Sequence, residues 1–139
     1  MCQCKWTQNH EELLQTLVMK SFLLHIDLWK DSCWIVWPVT KKQAEYWYNK
    51  KFTKTKESFP TFKPNGGLSV MGDNHVIFLS KWQNDAECFG LLAHECVHIA
   101  NSILRSCEVK EEEGKDEALA YLVDFMMRHF TATLTETKL

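Results

Sequence analysis

The chain has 139 residues, of which 45% are hydrophobic and 12% aromatic, and a formal net charge of -2. That length suits one domain, and the apolar content is enough to bury a core, which excludes a disordered tail. The charge offers no broad positive field to nucleic-acid phosphates, and no apolar run approaches the roughly 18 residues of a membrane span.

The opening MCQCKWTQNHEE lacks a basic segment followed by an apolar one, so the expectation is a cytoplasmic protein. Its six cysteines (Cys2, Cys4, Cys33, Cys88, Cys96 and Cys107) are then expected as reduced thiols. Cys2 and Cys4, with one residue between them, are too close for an ordinary zinc-ribbon pair. Residues 1–8 read as a flexible end. Asn9 is placed to cap a first helix, with Leu13, Leu14, Leu17 and Val18 as its apolar stripe.

FLLHIDLW alternates, with Phe22, Leu24, Ile26 and Leu28 on one face and His25 and Asp27 on the other, which is a strand pattern. KDS turns the chain into a second strand, Cys33 to Val39, where Pro38 marks the end or an edge. Thr40 and Gln43 form a capping box that opens a helix with Ala44, Trp47 and Tyr48 on its buried side. Residues 53–67 are polar and rich in Pro and Gly, a loop, and KKFTKTK, Lys50 to Lys56, which leads into it, reads as solvated. LSVM and HVIFLS, separated by Gly72-Asp73-Asn74, predict a hairpin.

Asn84-Asp85 then caps a long helix in which Leu92, Cys96, Ile99 and Ile103 recur at helical spacing, ending near Ser106. An acidic connector, EVKEEEGK, leads to a final helix with Ala118, Leu122, Phe125 and Met126 as its core stripe. Residues 131–139 read as a second flexible end. The sum is a single α+β domain: about four strands in a mixed or antiparallel sheet, with helices packed against it.

The long helix carries HECVH. On a helix, residues four apart share a face, so His94 and His98 can hold one ion, each nitrogen about 2.0–2.1 Å from zinc. Glu95 lies about 100° round, within reach of a metal-bound water whose proton it would take. Three residues recur by chance too often to decide alone, and a satisfied polar core is the competing reading. The motif nevertheless sits inside an apolar helix, where two histidines and an acid with nothing to bind would be costly. A catalytic zinc needs a third protein ligand. Glu117, Asp116, His129, Cys107 and His75 are candidates, and Glu117 fits best because it opens the next helix. Cys107 is roughly 13 Å along the axis from His98, too distant. Cys96 points inward and reads as a core residue. The Trp29, Trp34 and Trp37 group reads as core and sheet face.

HECVH followed after 18 residues by the glutamate of DEALAYL resembles the gluzincins, the thermolysin-type zinc metallopeptidases. A closer resemblance is to small, uncharacterised metallopeptidases encoded in bacteriophage genomes. These combine a MGDNHVIFL-like strand pair, an AHECxH helix and a final DEAxAYL helix. The resemblance covers roughly Phe22 to Phe130. It implies a small zincin-like domain, zinc held by His94, His98 and Glu117, and Glu95 as general base. It also implies that HVIFLS lies above the cleft, where His75, Val76, Ile77 and Phe78 would align an extended peptide or protein substrate. If the chain is phage-encoded, its compartment is the host cytoplasm.

This chain departs from the family in two places. Tyr121 stands where thermolysin-like helices carry an aspartate that orients the first histidine, so Asp116 or Asp124 takes that role. No residue matches the family's oxyanion donor by motif; Tyr121 is the first choice and His129 the second. The leading expectation is a zinc metallopeptidase acting without nucleic-acid or membrane partners. The alternative is a phage-type accessory protein that binds a host or virion protein through a zinc-stabilised fold.

Overall fold

The structure, a computed structural model, describes residues 19–52, 59–60, 66–71, 74–109 and 115–136. The expected first helix and the flexible end at residues 1–8 lie outside these residues, as do most of the loop at 53–65 and most of the acidic connector. Among the described residues the fold is α+β: a four-stranded mixed sheet with three helices.

β1 (Lys20–Ile26) and β2 (Asp31–Trp37) form an antiparallel hairpin, with Lys20 opposite Trp37 and Ile26 opposite Asp31. Leu24 and Ile26 are buried and His25 is exposed, as the alternation predicts. Leu28 breaks the pattern at 86% exposed. The chain leaves the pleat after Ile26 and makes one 3-10 turn, Asp27–Trp29, closed by Lys30 N–H donating to the Asp27 carbonyl at 3.1 Å. Lys30 takes a left-handed conformation, φ 49°, so the reversal comes before the expected KDS turn. β2 stops at Pro38, which has no N–H for a ladder, but the strand is interior rather than an edge.

α1 (Lys41–Phe52) begins at the expected capping box. Thr40 N–H donates to Gln43 Oε1 at 2.9 Å, and Gln43 N–H to Thr40 Oγ1 at 3.3 Å. β3 (Gly67–Val70) and β4 (His75–Leu79) form the expected hairpin, with Gly67 already in the strand rather than in the loop. β4 also runs parallel to β2, giving the order β1-β2-β4-β3.

Side-chain parity divides the sheet into two faces. Val36, Val76 and Phe78, with Trp34, Leu68 and Val70, pack against Ala44, Trp47 and Tyr48 of α1. Leu24, Ile26, Cys33, Ile35, Trp37, Ile77 and Leu79 face α2 (Ala86–Ser106) and α3 (Lys115–Glu136). α2 covers β3 and β4, and α3 packs on α2 and reaches β1. No helix among the described residues is long and apolar enough to cross a membrane.

α3 corrects one expectation. Residues 131–136 belong to the helix, because the apolar stripe runs past Met126 through Phe130 to a buried Leu134. Phe130 is completely buried in this core. Phe130→Ala should lower stability by about 3–5 kcal/mol in urea unfolding, whereas the exposed Arg128→Ala should stay within about 0.5 kcal/mol.

Candidate metal centre

The helix that carries the histidines starts where Asp85 turns extended (φ -140°, ψ 165°) and its Oδ1 accepts the Cys88 N–H at 2.8 Å. That hydrogen bond, first among several causes, holds the Asp85 carboxyl below the ordinary aspartate value of 3.8. Cys88, Leu92, Cys96, Ile99, Ala100, Ile103 and Leu104 bury the inner side of α2. His94 and His98 stand on its exposed side, one turn apart.

Their geometry is specific. His94 Nε2 and His98 Nε2 are 3.1 Å apart, with ring centroids at 4.8 Å and planes inclined by 76°. Two nitrogens each about 2.0–2.1 Å from one tetrahedral ion lie about 3.3 Å from each other. The pair therefore has nearly the bite that one zinc requires, and imidazole nitrogens suit that metal.

Glu95 turns the other way, into the seam between α2 and β3, where it is 6% exposed. The Ser69 hydroxyl donates to Glu95 Oε2 and lies 3.2 Å from the Glu95 carbonyl oxygen. Gly67 and Leu79 form the wall beside the carboxylate: a Cβ at position 67 would stand 3.1 Å from Glu95 Cγ. The carboxylate thus lies one residue along from the first histidine, on a surface built by the sheet edge.

The other expected site residues are placed differently. Glu117, Tyr121 and Asp124 share an exposed stripe on α3; Tyr121 is 72% exposed, and Asp124 accepts the Arg128 Nε–H at 3.0 Å. Asp116 is exposed in the first turn, and His129 is exposed with its ring 4.4 Å from that of Phe125. Among the described residues, no third His, Cys, Asp or Glu joins His94 and His98 in a group able to hold an ion. Cys96 is fully buried, as expected; burial first and the Glu95 charge second push its thiol up to about 12.

β4 cannot line a substrate as expected. His75, Val76, Ile77 and Phe78 are all buried, and their strand is hydrogen-bonded between β2 and β3, so it has no free edge. Among the described residues the edge strands are β1 and β3, and β3 is the one beside Glu95.

His75 has a structural use that the sequence reading missed. At 5% exposed, its Nδ1 faces Asp31 Oδ1 at 3.2 Å and its Nε2 faces Ser102 Oγ at 3.1 Å. This polar chain fastens β2, β4 and α2 together one turn beyond His98. It occupies both ring nitrogens, so His75 has none left for a metal. Its signal was parity: His75 shares the inward-facing side of β4 with Ile77 and Leu79.

No family model, curated protein or solved structure matches the chain. What the site can do therefore follows from its own atoms. They supply two imidazoles poised for one ion, and beside them a carboxylate anchored to the sheet.

The Asp85 cap generates a pH prediction for this helix. A carboxyl held lower in the folded state contributes stability that is present above pH 3.8 and is lost as the pH falls through the folded value. Asp85→Asn keeps a capping oxygen. It should therefore lower the urea midpoint modestly at pH 7, where the ionised carboxylate's share is lost, and flatten the fall in stability below about pH 4.

Proposed function

We propose that the chain is a zinc-dependent metallopeptidase of the gluzincin type, built on a small zincin-like domain. The observation that carries this reading is the 3.1 Å approach of His94 Nε2 and His98 Nε2 beside a buried Glu95. In this reading Glu117, from the first turn of α3, would supply the third ligand. That requires α3 to bring it closer to the pair than in this structure, where no third group joins them among the described residues. A zinc held by His94 and His98 would supply Lewis-acid chemistry, bringing the pKa of a water near neutrality.

The chain's own residues do the rest. Glu95 accepts the proton of the attacking water and returns it to the leaving amine. The outer edge of β3, unpaired among the described residues, pairs with the backbone of an extended peptide, a role that β4 is too enclosed to fill. Tyr121 and His129, on the same helix as Glu117, are the candidates for stabilising the oxyanion. Asp116 is the remaining candidate to orient a ligand histidine, since Asp124 is paired with Arg128. A phage-encoded protein acting in the host cytoplasm belongs to the same reading.

A second reading is a phage-type accessory protein with a structural zinc. It is favoured by the lack of a motif-matched oxyanion donor in the sequence.

Metal analysis and peptide hydrolysis separate the two. Purified protein should carry about one zinc per chain, and His94→Ala should lose it. Glu95→Ala should retain the metal and lose about 10²–10⁴-fold in kcat on a pool of quenched fluorogenic peptides. Full hydrolysis by Glu95→Ala would overturn the general-base assignment. Metal retention by wild type without any hydrolysis would favour the structural zinc.

A further inference from the structure

We infer that Ser69, on the edge strand, is the positioning residue for Glu95, and that Gly67 makes the clearance this arrangement needs. The inference rests on the reading of Glu95 as general base and names the part of the fold that holds it.

The Ser69 hydroxyl donates to Glu95 Oε2, so its proton points toward the carboxyl group. The hydroxyl has two acceptors on the same residue, Glu95 Oε2 and the backbone carbonyl oxygen, the carboxylate oxygen being the nearer. A hydroxyl donor on one carboxyl oxygen restrains the rotation of the whole group. It fixes Oε2 and leaves Oε1 to take the proton. Glu95 otherwise has a flexible side chain whose oxygens could exchange by rotation of the terminal torsion.

Gly67 supplies an independent constraint on the same side chain. Residues 67 and 69 share the face of β3 that meets α2. A Cβ at 67 would lie 3.1 Å from Glu95 Cγ, 3.3 Å from Leu79 Cδ2 and 3.4 Å from Glu95 Oε1. Leu79 is fully buried and has little room to yield, so Glu95 would have to move. β3 has four residues, and the two on this face both serve Glu95: one binds its carboxylate and one makes space for it.

Valine and threonine test the hydroxyl at constant shape. Both are β-branched and suit a strand, and they differ at position 69 by the hydroxyl. Zinc content, KM and kcat on the quenched peptide pool would be measured for wild type, Ser69→Thr and Ser69→Val. Ser69→Thr should stay within about threefold of wild type. Ser69→Val should keep one zinc per chain and a KM within about twofold of Ser69→Thr, with kcat about 10–100-fold lower. Equal kcat for the two variants, in an active wild-type background, overturns the positioning role and leaves the peptidase reading standing. A zinc-loaded wild type without hydrolysis overturns the peptidase reading and this inference with it. Should Ser69→Val fail to fold, Gly67→Ala keeps the hydroxyl and crowds the carboxylate. It should lose at least about tenfold in kcat with zinc retained, and a wild-type kcat there overturns the inference.

Discussion

A carboxylate buried between a helix and the edge of a sheet is the constraint to which the rest of the site is fitted. Removing Glu95 from water without a partner would cost several kcal/mol, and a helix as apolar on its inner side as α2 offers none nearby. The partner comes instead from β3, through Ser69, and the space comes from Gly67. β3 therefore adds little apolar bulk beneath α2, and its apolar residues, Leu68 and Val70, go to the opposite core with α1. With Glu95 turned to the sheet, the spacing of a helix leaves His94 and His98 on the open side, where both ring nitrogens are free to converge.

The same seam holds a second polar device at the other end of β4. His75 is fixed by Asp31 and Ser102, so the sheet grips α2 at two points roughly two turns apart, Glu95 and Ser102. Between them the contact is apolar, through Ile99 and Ile77. A helix pinned in this way resists sliding and rotation, which the proposed pair of ligands one turn apart would require. Asp31, His75 and Ser102 share the hydrogen-bond order of a hydrolytic triad. Ser102, however, lies inside a helix whose backbone N–H groups are committed, and an oxyanion needs such donors free. Their role here is attachment.

Local signals in the sequence carried much of this. The spacing of Leu92, Cys96, Ile99 and Ile103 located α2 and its buried face, the Thr40–Gln43 box located α1, and Gly72-Asp73-Asn74 located the hairpin. Strand order was not legible, because pairing β2 with β4 depends on contacts across forty residues that no local pattern encodes. One cue did exist: VIFL is apolar at every position, and an unbroken apolar run marks a strand covered on both faces rather than an edge. Leu28 misled because alternation ignores where a strand stops. Glu117 was chosen by its position at a helix start, and sequence spacing cannot fix how closely a connector brings two helix faces together. His75 was a candidate for ligand and substrate contact because the partners that occupy it come from a different strand and a helix, out of reach of local pattern.

In the proposed function His94 and His98 bind one zinc with an oxygen-rich remainder, leaving the buried cysteines out. Zinc K-edge absorption of protein loaded with one equivalent tests it most directly. The expected spectrum shows two imidazole nitrogens at about 2.0–2.1 Å, with oxygen completing the shell, and one imidazole fewer in His98→Ala. Sulfur scatterers near about 2.3 Å, or a spectrum unchanged by His98→Ala, would contradict it.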